Sequence, residues 1–95
     1  MQFLVLAYDG TDPEAPARRQ AARQAHLEAA RALKAAGHFI EGGAILDKDG
    51  QMIGSALIMD FPSEEELQAW LQSDPYVTGN VWQDIKVSPF RCAPI

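Results

Sequence analysis

The segment FIEGGAILDKDGQMIGSALIMDF, residues 39–61, decides the fold of this 95-residue chain. Two apolar runs, at 39–46 and 51–61, flank a connection at 47–50 that ends in Asp-Gly. An Asp-Gly step between two such runs is a strong short-range signal of a β-hairpin. The paired glycines at 42–43 are typical of a bulge or of a close approach by another backbone. The segment therefore predicts two neighbouring antiparallel strands in the middle of the chain.

Each side of this hairpin carries a helix pattern. Residues from Pro16 to Ala36 are mostly Ala, Arg, Gln, Glu and Leu, which favour helix. After the hairpin, Ser63 and Glu66 form a capping box at the start of a second helix. Asp74-Pro75 breaks this second helix, because the residue before a proline avoids helical geometry.

Strand patterns begin and end the chain. Residues 2–8 are almost continuously apolar, and residues 81–90 alternate after a turn or short helical turn at 76–80. The order of elements is therefore β-α-β-β-α-β. This order predicts an α+β, ferredoxin-like fold, with one four-stranded antiparallel sheet, two helices on one face and a single domain spanning residues 1–95.

The other face of such a sheet has no helix over it. Trp82 and the apolar alternation of the strands predict that this face is not polar. Two sheets stacked face to face would cover it, and a chain this short gains stability from such association. We therefore predict a homodimer that forms through the sheet.

Composition narrows the range of functions. The chain has 13 acidic and 8 basic residues and a net charge of −5, which argues against binding nucleic acid. Five bases lie on the first helix, interrupted by Ala and Gln, and a solvated helix face is predicted for them: Arg18, Arg19, Arg23, Arg31 and Lys34. The chain begins without a signal-peptide pattern, has no long apolar run and has one cysteine, Cys92. These features predict a cytoplasmic protein that binds no membrane.

The candidate chemistry centres on His26, in the middle of the apolar stripe of the first helix. A histidine on such a stripe is more often a hydrogen-bonded core residue than a catalyst. Here the stripe is otherwise rich in alanine, which leaves room for a cavity beside the ring. Asp74 lies in the break after the second helix, where its carboxylate either points back to that cavity or caps the following turn. Because a histidine and a carboxylate together suit proton transfer near neutral pH, we predict His26 and Asp74 as catalytic residues.

Three further residues are predicted to bind a substrate. Arg23, about one helical turn before His26, suits an anionic or phenolate oxygen, or else forms a surface salt bridge. Ser55 either reaches the pocket or is a small residue where a helix packs on the sheet. Tyr76 either hydrogen-bonds a ligand or lines the pocket. His38 follows the end of the first helix and is expected to be exposed.

Neither a metal nor a nucleotide cofactor is expected. The two histidines have no metal-ligand spacing, and no glycine-rich phosphate loop follows a strand. The candidate site is therefore predicted to act on a small organic molecule without a cofactor.

Several short motifs occur in an order and spacing that resemble the YciI-like (YCII-related) family over almost the whole chain. They are Arg23-x-x-His26-Leu27, Gly42-Gly43, Gly54-Ser55, Ser63-x-Glu65-Glu66, Asp74-Pro75-Tyr76 with Gly79, and Ser88-Pro89-Phe90. The resemblance implies a ferredoxin-like fold that dimerises through its sheets, as in dimeric α+β barrel proteins. It also implies an active site built on a histidine–aspartate pair, here His26 and Asp74. The chain departs from the family at Ala44, where many relatives have proline, and this change affects the rim of the pocket.

Three functions are compatible with these features. The first is acid–base catalysis of a lyase (elimination) or hydrolysis reaction; a related enzyme class that the resemblance implies removes chloride from a chlorinated hydroxyquinol. The second is a non-catalytic module on the same fold that binds a small ligand or a partner. The third, a cofactor-independent monooxygenase, ranks lower because the resemblance is to the family with the Asp-Pro-Tyr motif.

Overall fold

The computed structural model describes all residues, 1–95. Its elements in chain order are β1 (Gln2–Asp9), α1 (Ala15–Ala35), β2 (Phe39–Leu46), β3 (Met52–Asp60), α2 (Glu64–Ser73), α3 (Pro75–Thr78) and β4 (Trp82–Phe90). The predicted order βαββαβ is confirmed, and α3 is one extra helical turn between α2 and β4.

The four strands form one antiparallel sheet in the order β2-β3-β1-β4. The two central strands are therefore β1 and β3, and Val5 of β1 lies opposite Leu57 on one side and Val87 on the other. The helices pack on one face of the sheet, so the ferredoxin-like architecture predicted from the sequence is confirmed. None of the helices combines the length and the hydropathy that crossing a bilayer requires.

The core lies between this face of the sheet and the helices. Alternate residues of the central strands supply the sheet side, with Val5 and Met59 completely buried. Helix α2 contributes a buried face that consists of Leu67, Trp70 and Leu71. Ser63 caps that helix: its Oγ accepts a hydrogen bond of 3.2 Å from the amide of Glu66, while the reciprocal bond of the predicted capping box, from the Ser63 amide to the Glu66 carboxylate, is not formed.

Trp82 lies on the opposite side of the sheet from the one predicted. It is only 4% exposed and belongs to the core beneath the helices. Strict alternation would place Trp82 with Asp84 and Lys86, but the register between β1 and β4 shifts at Tyr8 and Asp9. An extra residue in one strand moves every side chain beyond it to the other face, which explains the error.

The face of the sheet away from the helices is apolar only along its centre. The register places Leu4 and Leu6 of β1 beside Ile58 of β3 on this face, and all three are partly exposed. The neighbouring strand β4 contributes the exposed charges of Asp84 and Lys86. The prediction of a non-polar face therefore holds for the two central strands and fails at β4.

His38 is also not placed as predicted, since it is partly buried rather than exposed. Its Nδ1 lies 2.8 Å from the carbonyl oxygen of Asp60, and its ring stacks on Phe61 at a centroid distance of 4.5 Å. These contacts form because the segment after α1 places His38 beside the end of β3. There Asp60 provides a carbonyl oxygen and Phe61 provides an aromatic ring.

Candidate active site

His26 and Asp74, 48 residues apart in the chain, lie in direct contact. His26 Nδ1 is 2.8 Å from Asp74 Oδ1, and the two residues are 7% and 3% exposed. Asp74 ends α2 with extended backbone geometry (φ −66°, ψ 135°), because Pro75 disfavours a further helical residue at this position. The break turns the carboxylate back toward α1.

The same carboxylate oxygen also caps α3. The amide of Tyr76 donates a hydrogen bond of 2.9 Å to Asp74 Oδ1, the atom that contacts the imidazole. The two roles that the sequence offered for Asp74, partner of His26 and cap of the following turn, therefore occur together. An ionised carboxylate only accepts hydrogen bonds, so Nδ1 is the donor in this contact. Nε2 makes no hydrogen bond within the protein.

Aromatic rings hold the imidazole in place. The ring of Tyr76 stacks on His26 with a centroid distance of 3.8 Å and an interplanar angle of 10°. Trp82 meets the imidazole edge-on at 5.5 Å. Burial raises the pKa of the Tyr76 phenol, and the nearby positive charge of Arg19 opposes that rise only in part, so the phenol is neutral at physiological pH.

Arg19 is buried, contrary to the prediction of a solvated helix face. It is 7% exposed, and its Nη1 donates to both carboxylate oxygens of Asp9, at 2.9 and 3.0 Å. Its guanidinium also lies over the ring of Tyr76, with the carbon 4.8 Å from the centroid. Arg19 precedes His26 by seven residues, which is about two helical turns, and so shares its buried face.

Neither Arg19 nor Asp9 was singled out from the sequence as a site residue. Two features of the sequence could have identified them: the spacing of seven residues between Arg19 and His26, and the position of Asp9 at the end of a buried strand. A buried guanidinium needs a charged partner, and Asp9 is placed to supply one.

Ser55 accepts two hydrogen bonds in the core. Arg19 Nη2 donates to its Oγ over 3.1 Å, and Trp82 Nε1 donates to the same oxygen over 3.2 Å. Ser55 lies on β3 opposite Ala7 and Ala44, and it is 2% exposed. Both alternatives considered for Ser55 apply, since it is a small residue beneath α1 and also reaches the pocket.

A cavity of about 210 Å³ lies between α1 and the sheet. Its wall includes four of the five predicted site residues, and Asp74 lies behind the ring of His26. The lining residues are Arg19, Arg23, His26, Leu27, Ala30, Phe39, Gly42, Gly43, Ala44, Met52, Ser55, Leu57 and Tyr76. Ala44, the position where the chain departs from the family pattern, is part of this wall.

Arg23 differs from Arg19 in its surroundings. Its side chain is exposed at the cavity, and it forms neither a salt bridge nor a hydrogen bond within the protein. Of the two alternatives predicted for Arg23, the surface salt bridge is therefore absent. Arg23 is the cation of the cavity wall that is free to bind an anion.

A sequence model of the YCII-related domain matches residues 1–91. This chain is a member of the YCII-related family. "Protein YciI" from Escherichia coli O6:H1 is 31% identical over 97 residues, covering 96% of this chain and 97% of that protein. A relative from Haemophilus influenzae is 30% identical over the same length, with the same coverage. The family resemblance found in the sequence motifs is confirmed.

Two solved structures resemble this YCII-related protein. The first is 5-chloro-2-hydroxyhydroquinone dehydrochlorinase from Burkholderia phenoliruptrix, in complex with 2,5-dihydroxybenzoquinone. It has a TM-score of 0.84 and 28% identity, and the match covers 98% of this chain and 96% of that one. The second, a protein from Agrobacterium tumefaciens, has 18% identity and a TM-score of 0.52, covers 100% and 99% of the two chains, and supports the fold alone.

No group of three or more His, Cys, Asp or Glu side chains in this YCII-related protein is placed to hold a metal ion. The polar groups at the cavity are instead an imidazole, two guanidinium groups, a hydroxyl and a phenol. This set suits proton transfer and the binding of oxygen atoms.

The shape of the cavity depends on a missing side chain at Gly42. A Cβ there would lie 2.6 Å from Leu57 Cδ2 and 2.8 Å from Phe39 Cζ, whereas a Cβ at Gly43 would meet nothing within 4 Å. We expect Gly42→Ala to lower the free energy of unfolding by about 1–3 kcal/mol more than Gly43→Ala does, because only the first overpacks the wall. Urea denaturation of the two variants measures the difference, and equal losses would contradict the assignment.

Proposed function

We propose that this YCII-related protein is a lyase-type acid–base catalyst that needs no cofactor and acts on a small hydroxylated ring. His26 transfers the proton through Nε2, and Asp74 holds the imidazole and stabilises its protonated form. The observation that carries the proposal is the 2.8 Å contact between His26 Nδ1 and Asp74 Oδ1, in which His26 also lines the cavity. The contact leaves Nε2 as the ring nitrogen available to a ligand.

The name of the structural neighbour describes the loss of HCl from a chlorinated trihydroxybenzene. Such a reaction releases two hydroxyl protons, adds one proton to the carbon that bears chlorine, and expels chloride. The electron pair that the ring oxygens give up on becoming carbonyls replaces the C–Cl bond by C–H. No external oxidant or reductant is needed: one group accepts a hydroxyl proton and delivers it to carbon, and the second hydroxyl proton leaves with chloride as HCl. His26 has the chemistry for both steps.

The size and charge of the cavity support a single-ring anionic substrate. A cavity of about 150 Å³ accommodates benzene, and the cavity here is about 210 Å³. Asp9 balances the charge of Arg19, whereas Arg23 has no carboxylate partner. A phenolate oxygen on the substrate would supply the missing negative charge.

The test is chloride release from 5-chloro-2-hydroxyhydroquinone by the purified protein. Release that follows enzyme concentration, together with appearance of the quinone absorbance, is the expected result. The same assay tests the second candidate function, a non-catalytic module that binds a small ring, such as the one bound to the structural neighbour. A binding module would take up the ring without releasing chloride, and replacement of His26 would not change any rate.

We also propose that the protein is a homodimer that associates through the open face of the sheet. The partly exposed leucines at the centre of that face, Leu4 and Leu6, support this assembly. Sedimentation equilibrium is expected to give twice the chain mass of 10.4 kDa. Leu6→Glu is expected to shift the protein to monomer, and Ala21→Glu, an equal charge change on the exposed side of α1, is expected to leave it dimeric. A wild-type monomer at micromolar concentration would contradict the proposal.

A cytoplasmic location stays a prediction.

A further inference from the structure

We infer that the hydroxyl of Ser55 is an oriented hydrogen-bond donor that binds an oxygen atom of the ligand. Ser55 lies in the cavity of the proposed function, and the choice of a ring as the ligand rests on that function. Ser55 then acts toward the ligand only as a hydrogen-bond donor, and the ligand atom that binds there must be an acceptor.

The direction follows from the hydrogen bonds that Ser55 already makes. A serine hydroxyl has two acceptor lone pairs and one donor hydrogen. Arg19 Nη2 and Trp82 Nε1 are both obligate donors, and both point at Ser55 Oγ, at 3.1 and 3.2 Å. The two lone pairs are therefore occupied, and the hydrogen is left to donate.

No acceptor in the protein takes this hydrogen. Ser55 Oγ donates to no carboxylate, carbonyl or side-chain oxygen of the chain. The residue is buried, yet it lines the cavity together with His26. A buried donor is rarely left without a partner, so a ligand oxygen in the cavity is the group that completes this site.

Arg19 strengthens the donor and holds it in place. Its guanidinium is held by both oxygens of Asp9, so Nη2 has a fixed direction toward Ser55. Hydrogen bonds in a chain polarise one another, and a cation that donates to a hydroxyl oxygen makes its hydrogen a better donor. Asp9, Arg19 and Trp82 are thus positioning residues that act through Ser55.

The ligand atom at Ser55 must be an acceptor. A phenolate, an enolate or a quinone carbonyl oxygen meets this requirement. An anionic oxygen is favoured over a neutral one, because hydrogen bonds to charged groups are stronger. The ligand is therefore a small ring with an anionic or carbonyl oxygen directed at Ser55, while another part of the same ring reaches His26.

The experiment is an equilibrium titration of the full-length protein with 2,5-dihydroxybenzoquinone, followed by its visible absorbance. Ser55→Ala is expected to weaken binding by about 10- to 100-fold, the effect of losing a hydrogen bond to a charged group. Ser55→Thr, which keeps the hydroxyl, is expected to bind within a few-fold of wild type. Ser88→Ala is the matched control, since Ser88 lies on the opposite face of the sheet.

Ser55→Ala leaves two buried donors without an acceptor, and this loss can impair folding. Ser55→Cys is the second variant, because sulfur keeps a weak acceptor and fills the space, while its S–H is a poor donor. A loss of about 10-fold or more in Ser55→Cys supports the inference as well.

The outcomes separate this inference from the proposed function. Wild-type affinity in folded Ser55→Ala or Ser55→Cys overturns the donor role, whatever the chloride assay gives. Failure of the wild-type protein to bind the quinone overturns it too. Binding that depends on Ser55 without any chloride release supports the donor site and removes the lyase proposal.

Discussion

Replacement of His26 by Asn is expected to lower chloride release by about 10²- to 10⁴-fold, the usual contribution of a general acid–base group. Asparagine keeps the approximate size of the ring and a polar atom near Asp74, but it cannot take up a proton at neutral pH. The rate is measured as kcat with 5-chloro-2-hydroxyhydroquinone. Binding of 2,5-dihydroxybenzoquinone should change much less, because Ser55 and Arg23 remain.

Two further variants make this experiment specific. Asp74→Asn is expected to lower kcat as well, since an amide at this position can still cap α3 but no longer stabilises the imidazolium. His38→Asn is the matched control, because His38 lies outside the cavity and contacts Asp60 and Phe61. A His26→Asn protein that is folded and within threefold of wild-type kcat would end the acid–base proposal.

Removal of either partner of the buried Arg19–Asp9 pair is expected to lower the free energy of unfolding by about 3–5 kcal/mol. Their side chains are only 8% and 7% exposed, so each single substitution leaves a charge buried without its counter-ion. This loss is a large part of the 5–15 kcal/mol by which small domains are stable. Urea denaturation of Asp9→Asn and Arg19→Met measures it.

The double variant and a neighbouring ion pair serve as controls. The combined loss in Asp9→Asn with Arg19→Met should be clearly smaller than the sum of the single losses, because no charge is then left alone. Arg18 and Asp12 form a similar pair at the surface, where the hydrogen bond from Arg18 lowers the pKa of Asp12 to about 2. Asp12→Asn is expected to change the unfolding midpoint only slightly. Equal losses of stability in Asp9→Asn and Asp12→Asn would contradict the expectation that breaking the buried pair costs more than breaking the surface pair.

The fold was predictable because its signals are local. The Asp-Gly connection at 47–50, the cap at Ser63 and the break at Pro75 each specify a chain turn within a few residues. The order of elements then leaves few topologies for a chain of this length. Periodicity along α1 likewise placed His26 on the buried face.

The parts of the site that the sequence did not reveal depend on contacts between distant segments. Trp82 reaches the core only because a bulge shifts one register, and alternation alone cannot locate a bulge. Arg19 has a charged side chain, so the charge pattern of the first helix assigned it to solvent, although Asp9 makes its burial possible. Both residues converge on Ser55, a contact that no spacing in the sequence encodes.

One carboxylate oxygen of Asp74 accepts from the imidazole and from the backbone amide that begins α3. Substitutions at Asp74 that remove this oxygen are therefore expected to loosen the start of α3, in addition to any effect on the proposed proton transfer. Natural selection for a well-folded chain is enough to keep this aspartate, even in a homologue that has no turnover. Among diverged homologues, an aspartate at this position alone is thus poor evidence for enzymatic activity. Whether position 26 is still a histidine is better evidence.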